Sequence, residues 1–135
     1  MDIKNMNTTA LAYLGDAVYE VFVRERVLSS DAAHVDRLHA RAVKYVRAEG
    51  QAYALKGMFE ELRPEEQNLV KRARNRKITS KPKNADPVVY KLATAFEALA
   101  GYLYLSAQTE RLEEIFEQAV RIIDEGGVVN EKTKR

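Results

Sequence analysis

The stretch Thr94-Ala95-Phe96-Glu97-Ala98-Leu99-Ala100-Gly101-Tyr102-Leu103 reads as the interior of a long helix. Leu92, Phe96, Leu99 and Leu103 recur at steps of four, three and four, which places them on one side of a helix with 3.6 residues per turn. Asp86-Pro87 can start that helix, with aspartate as the cap and proline first inside, where its missing N–H is no loss. Glu97 stands apart from the apolar stripe. Its neighbours on the helix surface, Ala93, Thr94, Ala100 and Gly101, are all small. They make a shallow floor under a carboxylate, which admits either a neighbouring helix or a metal ion with its water shell. Alone, the glutamate reads equally well as a surface residue beside a packing groove.

Working outward, the helical pattern continues almost throughout. A first helix begins near Thr8 or Thr9, either of which can cap it, with Leu11, Leu14, Val18 and Phe22 along one face. Ser29-Ser30-Asp31 reads as a break. Further helices are expected at about 35–45 and 48–59. Another begins at Arg63-Pro64-Glu65-Glu66, with proline in the first turn and acids near the positive end of the dipole, and ends near Asn75. Residues 76–85 carry the threonine, serine, proline and asparagine of a loop. The last helix starts near Thr109, with Leu112, Ile115, Phe116, Ala119 and Ile122 as its buried stripe. Gly126-Gly127 are expected to end it. No alternating run is long enough for a sheet. The expectation is a single all-α domain of about six helices over 1–127, with 128–135 a disordered C-terminal tail.

The bulk numbers agree and exclude several classes. A chain of 135 residues is one domain's worth, with core enough for it. Without cysteine there is no disulfide framework, thiolate metal site or thiol nucleophile. The N-terminal residues lack a basic start followed by an apolar run, and no apolar stretch is long enough to span a bilayer, so a cytoplasmic location is expected. Net charge is only +2, but Lys71, Arg72, Arg74, Arg76, Lys77, Lys81 and Lys83 form a basic segment containing no acid. In a nearly balanced protein this suggests one face made for a polyanion.

A second informative stretch is Leu11-Ala12-Tyr13-Leu14-Gly15-Asp16-Ala17-Val18-Tyr19-Glu20. Glycine inside a helix costs about 1 kcal/mol relative to alanine. Close approach of another helix would compensate, and Asp16 would then sit at a helix crossing. Alone, it reads as a solvated charge. Glu20 can bind an outer-shell water or pair with Arg24 one turn on, and the spacing favours the pair. His34 and His39 are five apart and read as ordinary surface or capping residues.

Together, Leu14-Gly15-Asp16-Ala17-Val18-Tyr19-Glu20 and the stretch from Thr94 to Leu105 resemble the two catalytic helices of ribonuclease III enzymes, in the same order and the same helical setting. The likeness is closest to the short Mini-ribonuclease III family, which has the catalytic domain but no appended double-stranded-RNA-binding domain. Lys71-Arg72-Ala73-Arg74-Asn75-Arg76 and Pro82-Lys83-Asn84-Ala85-Asp86 resemble that family's basic loop. The resemblance spans about Leu11 to Leu105. It implies Asp16 and Glu97 as catalytic, metal-binding carboxylates and Mg²⁺ as the cofactor. Larger ribonuclease III enzymes carry two more acids, at positions that are Ala12 and Thr94 here; the departure fits the short family.

The chemistry agrees with that implication. Phosphodiester hydrolysis builds negative charge and needs a nucleophile at neutral pH, and Mg²⁺ serves both needs with only one or two protein carboxylates. Double-stranded RNA is held through shape, phosphates and 2′-hydroxyls, which the seven basic residues suit. The competing reading of the basic run is a solvated helix end favoured by the dipole; it covers Lys71, Arg72 and Arg74 better than Lys81 and Lys83. The resemblance further implies 5′-phosphate and 3′-hydroxyl products and a twofold homodimer with Tyr13 at its interface. It also implies a large-subunit (23S) ribosomal RNA precursor as substrate, and leaves room for a ribosomal-protein partner. The rival is a non-catalytic RNA-binding or ribosome-assembly factor on the same fold, and metal-dependent strand cleavage separates the two. A third reading, a helical domain that binds only protein, predicts no RNA affinity even at low salt.

Overall fold

The computed structural model describes residues 1–30, 34–77 and 83–134; for Ser30 and for 127–134 it describes backbone alone. Six helices follow in order: α1 (Thr8–Ser30), α2 (Val35–Val46), α3 (Ala48–Met58), α4 (Pro64–Arg74), α5 (Pro87–Leu105) and α6 (Thr109–Lys134), with a 3₁₀ turn at Phe59–Glu61. No strand occurs among the described residues. The all-α expectation holds.

α5 forms the centre, packed against α1, α3, α4 and α6. Its expected stripe of Leu92, Phe96, Leu99 and Leu103 is buried. Asp86 caps it, the carboxylate accepting from the Val88 and Val89 amides at 2.8 and 3.3 Å. Behind the helix crossings lies an aromatic cluster: Tyr19 meets Phe96 edge-on at 4.9 Å between centroids, and Phe116 lies 5.0 Å from both Tyr19 and Phe22. Edge and tilted contacts suit the ring quadrupoles.

Three local readings are corrected. The cap of α1 falls one residue before Thr8: Asn7 Oδ1 accepts from the Thr9 and Ala10 amides at 2.7 and 3.3 Å. The fully buried face of α1 is Leu11, Gly15, Tyr19, Val23 and Val27, while Leu14, Val18 and Phe22 are only partly covered. Gly15 is the residue of that face set directly against the backbone of α5. α6 also continues past Gly126 and Gly127 to Lys134, so no helix end separates 127 from 128. A glycine stops a helix through a left-handed conformation, and no described glycine has positive φ. Gly126 instead makes room for the Tyr53 ring, which an added Cβ would meet at 2.2 Å.

One buried ion pair fastens α4 to α6. Glu66 is fully buried and accepts from Arg111 at 2.6 and 2.8 Å, while also capping its own helix through the Arg63 amide at 2.9 Å. Burial works against ionising Glu66, but the bonds from Arg111 and Arg63 outweigh it, and the carboxyl titrates below its ordinary range.

Candidate active site and RNA-binding face

The site is made by a crossing without side chains between the helices. A Cβ added to Gly15 would lie 1.7 Å from the Glu97 carbonyl oxygen, and one added to Gly101 would lie 2.0 Å from the Leu11 carbonyl oxygen. Leu11 thus pairs with Gly101 and Gly15 with Glu97, so α1 and α5 pass each other in opposite senses with their backbones touching. The glycine cost seen in the sequence is offset by this contact. The next residue of α1 is Asp16, and its carboxyl falls against that of Glu97.

Asp16 is exposed and Glu97 half-buried. Burial, then the charge of Asp16, then a hydrogen bond with Asp16 push the Glu97 carboxyl up to about 8, against a smaller opposing effect of Gln51. Two carboxylates held this close in partial burial repel, and a proton or a cation relieves them. The pair is therefore a place for positive charge. Among the described residues no group of three or more His, Cys, Asp or Glu side chains is poised around a metal. Two oxygen-donor side chains open to water fit Mg²⁺, which keeps most of its waters, and fit poorly an ion needing a full protein cage.

The two positions at which the resemblance led to a comparison with further acids, Ala12 and Thr94, supply no carboxylate here. Ala12 is buried, and the Thr94 hydroxyl donates to the Tyr90 carbonyl of its own helix at 2.9 Å. Glu20 pairs with Arg24 at 3.2 Å, as its spacing suggested. His34 precedes α2 without a side-chain capping bond, and His39 is exposed.

Lys71, Arg72 and Arg74 lie in the last turn of α4, with Arg76 and Lys77 just beyond it and Lys83 before α5; all six are exposed. Lys81 lies outside the described residues. Three of the six have protein partners: Arg72 donates to the Lys4 carbonyl at 3.1 Å, Arg74 Nε donates to Asn75 Oδ1 at 3.4 Å, and Lys71 stands 6.0 Å above the Phe59 ring. Arg76 and Lys77 instead line an open groove of about 650 Å³, with Tyr13, Tyr90, Lys91 and Thr94 among its other walls. Tyr13 and Thr94 each precede a site carboxylate by three residues, so this groove opens about one helical turn from Asp16 and Glu97. Tyr13 is 87 % exposed.

Two residues here escaped the sequence reading. Lys91 joins the basic wall from α5, and its signal was a lone cation in a helix otherwise free of basic residues. Gln51 reaches the site from α3, where it stands among Gly50, Ala52, Ala54 and Leu55, all buried.

Comparison with known proteins agrees with the geometry. The family model for the ribonuclease III domain matches residues 9–108. The chain is 49% identical over 116 residues to the Mini-ribonuclease 3 of Symbiobacterium thermophilum, covering 86% of this chain and 89% of that one. It is 42% identical over 133 residues to the Mini-ribonuclease 3 of Enterococcus faecalis, covering 97% and 98%. A crystal structure of the Fusobacterium nucleatum protein FN1578 superposes with a TM-score of 0.79 at 30% identity, covering 89% of this chain and 96% of that one.

Proposed function

Because the chain belongs to the ribonuclease III domain family, in its short Mini-ribonuclease 3 branch, it is a ribonuclease, and we propose that it cuts double-stranded RNA internally with Mg²⁺ held by Asp16 and Glu97. The observation that carries this reading is the meeting of those two carboxyls at the glycine crossing of α1 and α5. A bound Mg²⁺ supplies charge neutralisation for the phosphate and acidifies a water for attack. The chain's own residues do the rest. Asp16, exposed, faces the substrate side; Glu97, half-buried, is the fixed wall of the site. Arg76, Lys77 and Lys91 line the nearby groove and offer cations to the RNA backbone. Lys71, Arg72, Arg74, Lys81 and Lys83 extend the same role.

A duplex has two antiparallel strands, which a twofold homodimer matches with one site for each. Tyr13, exposed beside the site, is the contact to the partner copy in this reading. Hydrolysis leaves 5′-phosphate and 3′-hydroxyl ends. The substrate is a 23S ribosomal RNA precursor in the cytoplasm, by likeness to the family. No described helix is long and apolar enough to cross a membrane.

The test is cleavage of an end-labelled RNA duplex in Mg²⁺ by the parent, Asp16→Asn and Glu97→Gln. The expected result is cuts in both strands by the parent and none by either variant, with both variants folded. Binding without cutting by the parent, across several duplexes, would favour the assembly-factor reading.

A further inference from the structure

α3 brings a buried amide to the site. Gln51 is only 2 % exposed, on a helix packed against α5. Burying an unpaired carboxamide is costly, so a glutamine at this place needs partners. One is the Val46 carbonyl at the end of α2, to which Gln51 Nε2 donates at 2.9 Å. That bond also orients the amide, since a carbonyl accepts only from the NH₂ side. The nitrogen has a second hydrogen, and α3, which carries Gln51, packs along α5, which carries Glu97; hydrogen bonding by Gln51 favours the ionised form of Glu97. Gln51 Oε1 is buried with no protein partner. A buried amide oxygen in that state is a place for an ordered water.

We propose that Gln51 is a positioning residue of the metal site: anchored on Val46, it holds the Glu97 carboxylate in its cation-binding orientation and leaves Oε1 as an acceptor for a water there. The inference rests on the metal-dependent reading above. A glutamine that served only to close the junction of α2 and α3 would need Nε2 alone. Its hydrogen bonding toward Glu97 and its orphaned Oε1 would then serve nothing.

The test uses the full chain without RNA, with Mn²⁺ affinity read by electron paramagnetic resonance. Gln51→Met keeps length and volume but loses every hydrogen bond. It should weaken Mn²⁺ binding by about tenfold or more, the usual effect of losing a group that orients a ligand. The Mg²⁺ concentration for half-maximal cleavage should rise in step, while duplex binding in chelator stays at the parent's level. Parental Mn²⁺ affinity in Gln51→Met, whatever its melting temperature, overturns the proposal. Should Gln51→Met not fold, the parent decides by NMR: Mg²⁺ should shift the Gln51 side-chain amide signals, and signals unmoved at saturating Mg²⁺ overturn it. Asp16→Asn and Glu97→Gln run beside it separate the two levels. Mn²⁺ affinity unchanged in those variants removes the metal site itself, whereas affinity lost there and kept in Gln51→Met removes only the role of Gln51.

Discussion

Gly15 lies directly on the backbone of Glu97, so close that a single added methyl would stand 1.7 Å from the Glu97 carbonyl oxygen. This contact carries both the packing of α1 on α5 and the pairing of Asp16 with Glu97. Gly15→Ala must push the helices apart, and backbone cannot yield as a flexible side chain can. We expect a loss of about 3 kcal/mol, at the upper end for overpacking, measured by urea unfolding. Cleavage should fall further than stability explains, because the carboxylates separate. Parental stability would show that the crossing is looser than described.

The raised Glu97 carboxyl should make the proposed Mg²⁺ binding pH-dependent. Glu97 holds its proton up to about 8, and a cation displaces it. At pH 7, titration calorimetry in buffers of different ionisation enthalpy should report about one proton released per Mg²⁺ bound, falling toward none above pH 9. In chelator the sign for stability is the reverse of the usual carboxylate case. A folded-state value above the unfolded one favours folding at low pH, and that contribution is lost as pH rises from the ordinary carboxylate range through about 8. Glu97→Gln should abolish this decline and be more stable than the parent at pH 8.5.

Glu66 and Arg111 test the scaffold independently of the site. Their side chains are 0% and 16% exposed, and they meet at 2.6 Å. Arg111→Ala leaves a buried carboxylate without its main partner, and we expect a loss of about 3–5 kcal/mol in denaturant unfolding. Glu66 titrates below its ordinary range. Its contribution is therefore present above the unfolded carboxylate value and disappears as pH falls through the lower folded one. The stability gap between parent and Arg111→Ala should narrow in acid.

The basic residues should not be equivalent. Arg76 and Lys77 line the groove near the site, whereas Arg72 is engaged with the Lys4 carbonyl. Lys77→Ala or Arg76→Ala should weaken duplex binding and reduce the slope of log affinity against log salt by roughly 0.9, the value of one phosphate contact in a duplex. Arg72→Ala should change the slope less. An equal drop from all three would point to diffuse attraction by the segment as a whole.

Tyr13 offers the sharpest test of the dimer. Its ring is 87 % exposed on α1 and open to contact by a second copy. Tyr13→Asp should shift sedimentation from dimer to monomer while the helical circular dichroism remains. A parent that sediments as a monomer at micromolar concentration would remove the two-site picture.

Much was legible in sequence because it depends on local order along the chain. The apolar stripe of α5, its Asp86-Pro87 start, the proline start of α4 and the Glu20–Arg24 pair all follow from helical periodicity and capping. The cysteine-free composition excluded whole classes of chemistry, and the basic run marked a face for a polyanion. Asp16 and Glu97 each looked like an ordinary surface acid alone; the small residues around them, and the resemblance of the two stretches taken together, pointed to a site. Tertiary structure decided the rest, since it depends on distances between segments far apart in the chain. The register of Gly15 on Glu97 brings the carboxyls together, and the orientation of α3 turns Gln51 toward them. Gly126 seats the Tyr53 ring inside α6, which runs on past its expected end. A glycine in sequence permits a turn, a helix stop or a close approach. Which of these it serves depends on what the fold places against its missing side chain.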